Sequence, residues 1–344
     1  MKKYWFQLLL LSLALVLGVA VWGVLNSLWK NMEQYEASSE IGAVSEYFRR
    51  FSQGDYETAV QASGFSFDDK NSKEDYIQYL KDTFGTDFSD LRFAGRDSDV
   101  AGEKDYRVYS GDTPLGLVRL VPVQGEARDW TVIAEVNYSD PIKVVAPSFV
   151  QVVVNGKLQS PDADSTVTNV DFTDLEGTIS VPTQVTYTLD GYLYAPEIRG
   201  TAPDGTVCIQ GEPVEGTVSL FVPVSETDRE QFESLMTDFS KNYARFISKD
   251  ASFASLKPKM LAGTEFYESA RTFYNGWYTP HTGHEFRDVT VSDLIRTDEN
   301  TFVGNIKFDY VVFRGTQEHV YPSSYRLSFC CSDGKWLLAD LTIR

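Results

Sequence analysis

A carboxylate base paired with a tyrosine or histidine that donates to a developing oxyanion is the chemistry this sequence comes nearest to encoding. Asp309 and Tyr310 are adjacent. Successive side chains of a strand point to opposite faces, so the two enter one cavity only across a bulge. Asp340 follows the alternation of Trp336 and Leu338, which directs it inward with Tyr310 nearby. A buried acid there needs a partner or a raised pKa; a structural hydrogen bond or a solvated strand end accounts for Asp340 without catalysis. Tyr274, Trp277 and Tyr278 lie near the end of a helical pattern and can border an opening. With Tyr310 and Asp340 they form the candidate ligand-binding set. Helical spacing equally predicts their burial in a packed core.

His281-Thr282-Gly283-His284-Glu285 contains the one close histidine pair. If extended, the two rings face opposite ways, although a turn at Thr282-Gly283 brings them together. A metal needs three or four ligands, and only Glu285 and His319 suggest themselves as additions. The expectation is a polar loop before a strand, with no metal bound. Asp68-Asp69-Lys70-Asn71 lacks the alternating spacing and final Glu of a calcium loop and reads as a solvated turn. Asp162, Asp164, Asp171 and Asp174 form an acidic rim whose first role is solubility. The chain has no Gly-rich phosphate loop, nucleophile elbow or zinc-protease helix. No catalytic residue and no cofactor is therefore assigned, and the expected protein is non-catalytic.

The chain that must position these groups has 344 residues, a formal charge of -18 and 42% hydrophobic residues. This composition supports packed domains rather than disorder. The acidic balance excludes general binding to a nucleic-acid backbone, which needs clustered Lys and Arg. Tyr4 to Trp29 is a run of 26 uncharged residues bracketed by Trp5 and Trp29. As a helix it would measure about 39 Å, more than a hydrocarbon slab of roughly 30 Å requires. Lys2 and Lys3 precede it, which sets a cytoplasmic N-terminus and an extracytoplasmic C-terminus. The rival is a cleaved signal peptide at Gly18-Val19-Ala20, disfavoured because the apolar run continues through Leu25. The expectation is a single-pass protein of the cell membrane, held in the lipid bilayer by residues 4–29. Beyond Lys30, 28 basic residues face 49 acidic ones. Three Cys residues make no disulfide framework in a chain this long.

Three pieces follow. In 31–140, Ile41, Val44, Tyr47, Phe48 and Phe51 mark one helical stripe. Ser72 with Asp75 opens a further helix containing Tyr76, Ile77, Leu80 and Phe84. The period then changes to two, giving strands at 91–98, 104–109, 115–123 and 130–138. Residues 141–224 carry 3 basic and 10 acidic residues and no helical pattern. Strands at 149–154, 166–172, 177–181, 184–189, 197–199, 207–209 and 217–221 make a small β-sandwich, with Asn155-Gly156 a hairpin turn. Residues 225–344 repeat the first plan. A helix capped by Thr227 or Asp228 and a second one over 263–277 precede strands at 287–295, 301–313, 319–331 and 336–343.

Tyr47-to-Trp130 in the first α+β piece matches Tyr243-to-Trp336 in the last, which suggests a divergent duplication. N-terminal helices followed by a curved four-strand sheet ending in a Trp-led strand, as in Asp333-Gly334-Lys335-Trp336-Leu337-Leu338, resemble the NTF2-like (cystatin-like cone) superfamily. The resemblance covers 41–138 and 228–343. It implies an α+β fold class, with two NTF2-like cones flanking the all-β sandwich behind one transmembrane helix in residues 1–30. The order of anchor, cone, sandwich and cone also resembles TcaA-like bacterial envelope proteins, with Ala146-Pro147-Ser148 before Val152-Val153-Val154-Asn155-Gly156-Lys157 similar to their β-rich modules. Such a protein is expected to bind or assemble with an envelope protein or cell-wall polymer. Cones that hold ligands between sheet and helices make a small-molecule-binding or degenerate enzyme domain in 228–343 the alternative. A structural spacer is the third.

Overall fold

The computed structural model describes residues 15–30, 32, 39–86, 88, 90–123, 130–175, 177, 179–273 and 280–344. The fold is mixed α+β and divides into two compact units, 1–139 with 192–194, and 140–191 with 195–344. The first described element, helix α1 over 15–30, is exposed at every residue. Among the described residues no helix is both long and apolar enough to cross a membrane. Positions 4–14 of the expected span lie outside them.

In the first unit, helices α2 (Glu40–Ser52), α3 (Tyr56–Ala62) and α4 (Lys73–Phe84) precede strands β1 (Leu91–Asp97), β2 (Lys104–Ser110), β3 (Thr113–Pro122) and β4 (Trp130–Ala134). The strands pair in sequence order as an antiparallel sheet. Val44, Tyr47, Phe48 and Phe51 are buried as the helical spacing requires, while Ile41, a turn earlier, is exposed. Ser72 and Asp75 form the reciprocal capping box that starts α4. Phe84, at the other end of α4, packs so closely on Gly116 that a Cβ there would stand 2.9 Å from its ring. Leu193 completes this core from far along the chain, its amide donating to Asn71 Oδ1 at 2.8 Å.

The second unit opens with β5 (Ile142–Pro147), a strand that Pro141 before it and Pro147 at its end conceal in the sequence. Strands β6 (Gln151–Val154), β7 (Lys157–Leu158), β8 (Val167–Thr168), β9 (Thr183–Leu189), β10 (Ile198–Thr201), β11 (Ile209–Gln210) and β12 (Thr217–Pro223) follow. Two of the expected strands are otherwise. Asn169 accepts the amide of Asp171 at 3.0 Å and starts a 3-10 helix over Val170–Leu175, so extended structure ends at Thr168. Among the described residues of 177–181 there is no strand.

Helices α5 (Glu226–Ile247), α6 (Phe253–Leu256) and α7 (Glu265–Thr272) come next, then long strands β13 (Gly283–Asp298), β14 (Thr301–Arg314), β15 (Gln317–Ser332) and β16 (Lys335–Ile343). Ser225, two residues before the expected cap, accepts the Asp228 amide and starts α5. The sheet runs β16-β15-β14-β13-β12-β5-β9-β8, so the β-rich stretch and the last α+β stretch share one hydrogen-bonded path through Val222–Arg296 and Pro223–Ile295. Its curl has a local cause. Strand β13 shifts register between Arg287 and Thr290 and between Ser292 and Ile295, with Asp288 and Asp293 at φ 52° and 50°. Such bulges bend a strand and strengthen its twist. Phe302, Ile306, Phe308, Tyr310 and Val312 of β14 then face α5 in one core with Phe232, Met236 and Phe239.

Candidate functional site

Helix α5 ends in a Schellman motif: the Asp250 amide donates to Arg245 O at 2.8 Å and the Lys249 amide to Phe246 O at 3.2 Å. Lys249 takes the left-handed position at φ 67°, where glycine is usual. This sharp stop turns Asp250 back toward the core just beyond buried Ser248. A bend at Thr282, whose amide donates to Phe313 O at 2.8 Å, presents His281 and His284 at the start of β13. Tyr310 enters from the facing strand β14, where it pairs with Phe286.

These elements converge on one oxygen. Oδ2 of Asp250 accepts from Tyr310 OH at 2.7 Å and Ser248 Oγ at 2.9 Å, and lies 2.8 Å from His281 Nε2 in a hydrogen bond. Nδ1 of His284 stands 3.1 Å from the same oxygen. Ser248 and Tyr310 are also 2.7 Å apart, so two hydroxyl protons serve three contacts. The His281 side chain is 3% exposed, whereas those of Asp250 and His284 are 27% and 25% exposed. Burial raises the Asp250 pKa, but hydrogen bonds from Tyr310, His281 and Ser248 more than offset it and hold the carboxyl below its ordinary value. Burial drives the Tyr310 phenol upward, and its bond to the Asp250 carboxylate adds to that, against the opposing effect of Ser248. The group is thus an ionised carboxylate facing two imidazoles and a neutral phenol. It can orient a histidine, bind a polar ligand or share a cation.

Of the residues picked from sequence, the structure places Tyr310 in this cluster. Tyr274, Trp277 and Tyr278 lie outside the described residues. Asp340 stands elsewhere. Its row partner Ser328 pairs with Val303, seven residues along β14 from Tyr310, or about 23 Å at strand spacing. The register also slips between Ser328 and Phe329, leaving Ala339 as an extra residue. Leu338 and Leu341 consequently belong to the main core, and Asp340 leaves the alternation that pointed it inward. Asp309 lines an open groove of about 660 Å³ with Lys307 and Arg344, across the sheet from Tyr310, as alternation demands. His281 and His284 do come together, by the turn that the sequence allowed. Their carboxylate partner is Asp250, which sequence reasoning passed over. Glu285 instead pairs with Arg287, and His319 lies exposed opposite Val312.

Asp340 has its own consequence. Burial raises its pKa, reinforced by the charges of Asp174, Glu265 and Asp171 and opposed by the Leu341 amide. A raised folded-state pKa means stability that is complete below the unfolded value of about 3.9 and is lost as pH rises through the folded value. Asp340→Asn is therefore expected to be more stable than the wild type at pH 7, with the difference shrinking as pH approaches 4. Urea denaturation at both pH values checks this; an Asn variant less stable at pH 7 would contradict it.

No family model matches the chain, and no curated protein matches it. Among solved structures it is similar to an "Ntf2 like protein involved in plasmid conjugation", with a TM-score of 0.26 and 8% identity over 74% of this chain and 76% of that one. A likeness this loose carries no argument, and the α+β assignment rests on the helices and strand pairings themselves.

Proposed function

We propose that this is a membrane-anchored, extracytoplasmic protein of the cell envelope that presents its folded units for binding or assembly without catalysing a reaction. One observation carries the reading: α1 is apolar around its whole circumference from Leu15 to Leu25 and is exposed along its length, with Leu15, Val19, Trp22, Leu25 and Trp29 all exposed. A helix of a water-soluble fold buries a stripe, and one that is apolar all round needs an apolar solvent. Its 16 residues span about 24 Å of a slab of roughly 30 Å, and the sequence before it is uncharged back to Tyr4. In this reading the two α+β stretches, 31–140 and 225–344, are NTF2-like cones flanking the β-rich stretch 141–224, supported by their shared order of helices followed by a four-strand antiparallel meander. The acidic ectodomain meets an envelope protein or wall polymer.

Cell fractionation of the full chain beside a chain starting at Ser39 tests the anchor. The full chain is expected to stay with membranes through high salt and alkaline wash and to leave only with detergent, while the shortened chain is soluble. Release of the full chain by the alkaline wash would contradict the proposal. A second reading, small-molecule binding by the last α+β stretch, is favoured by the Asp250, His281, His284 and Tyr310 cluster, since that many polar groups exceed what packing requires.

A further inference from the structure

We propose that Asp250, His281 and His284 form a site for a first-row divalent metal ion of the zinc class, with Tyr310 and Ser248 steadying the carboxylate. The inference does not depend on the anchor. The three ligand atoms lie within 4.8 Å of one another and come from two separate turns, one ending α5 and one opening β13. Hydrogen bonding alone accounts poorly for their closeness. A carboxylate oxygen offers about two lone-pair sites, yet Oδ2 of Asp250 takes three hydrogen bonds and has His284 Nδ1 at 3.1 Å as a fourth polar neighbour. A cation between the carboxylate and the two imidazoles replaces competing donors with lone pairs.

The dimensions suit it. With bonds of about 2.0–2.1 Å, tetrahedral ligand atoms sit roughly 3.3–3.4 Å apart, so the carboxylate–imidazole separations of 2.8 and 3.1 Å need to open by about half an ångström or less, while the two imidazole nitrogens lie within 4.8 Å of each other. Two nitrogens and one oxygen select zinc or its transition-metal neighbours over magnesium and calcium, which take six or more oxygens. Three protein ligands leave a coordination position for water or a ligand. Tyr310 OH and Ser248 Oγ are the outer groups that orient a ligating carboxylate.

The chain has three His residues, and His319 is the one outside the cluster, which makes it the control. The full chain in detergent micelles, stripped by chelator, is titrated with Zn²⁺ by calorimetry and with Co²⁺ by visible absorption. One equivalent should bind without a thiolate charge-transfer band and without competition from Mg²⁺ or Ca²⁺. His284→Gln should weaken binding at least tenfold, Tyr310→Phe about 10–100-fold, and His319→Gln not at all. Absence of a saturable one-equivalent site in the wild type would overturn the proposal. So would an unchanged affinity in folded His284→Gln, a thiolate band, or displacement by Mg²⁺. Because the wild-type titration is decisive alone, a variant that fails to fold leaves the proposal exposed to refutation.

Discussion

Phe302→Ala should destabilise the second unit by about 3–5 kcal/mol, the range for removing a fully buried aromatic ring. Phe302 is completely buried and stacks on Phe232 at 3.9 Å and on Phe329 at 4.8 Å, with Trp336 edge-on at 5.1 Å. Alanine would leave a void bounded by three rings on three different elements, so no single side-chain shift fills it. The aromatic contacts add their own share beyond buried area. Urea denaturation followed by the fluorescence of Trp336, with the other tryptophans replaced, measures the loss. A cost below about 1 kcal/mol would mean that the ring stack is not the centre of this core.

Arg326→Ala is expected to cost about 3 kcal/mol, the lower end for breaking a buried ion pair, because both partners keep some contact with water. The guanidinium of β15 grips Asp171 of the 3-10 helix through Nε–Oδ1 at 2.5 Å and Nη2–Oδ2 at 2.6 Å, with side chains 13% and 15% exposed. Its Nη1 reaches Asn305 at 3.2 Å, and Ser328 donates to the Asp171 carbonyl at 3.0 Å. The bidentate fork fixes the 3-10 helix on the sheet, and a lone Asp171 would keep its desolvation cost with no counter-charge. Replacing both partners, as Asp171→Leu with Arg326→Met, should recover most of the loss. A double-mutant cycle by urea denaturation reads the coupling directly, and additive single losses would refute it.

Much of this architecture was legible because period-two alternation survives in long strands. Phe302, Ile306, Phe308, Tyr310 and Val312 alternate with Asn305, Lys307 and Asp309, and the first set forms the core. Ser72 with Asp75 announced a helix start for an equally local reason. The features that failed to show are those that break a local rule. An extra residue at Ala339 moved Asp340 off the inward face, and nothing in Trp336 to Leu341 marks a bulge. Strand β5 was hidden by prolines, although Pro147 ends it and costs no internal ladder bond.

The polar cluster was half visible. The histidine pair and its turn could be read, but Asp250 lies 31 residues before His281 in a turn whose left-handed residue is Lys249 rather than glycine. The one available sign was the polar Ser248-Lys249-Asp250 run immediately after the aromatic stripe of α5. Only folding of α5 against β14 brings that run beneath the rings.

The most direct test of the anchored, outward-facing arrangement is a tag placed after Arg344 and probed in intact cells. The account predicts that a membrane-impermeant antibody or protease reaches the tag without permeabilisation, and that the signal stays cell-associated until detergent is added. A tag reached only after the membrane is opened would place both units on the cytoplasmic side and contradict it.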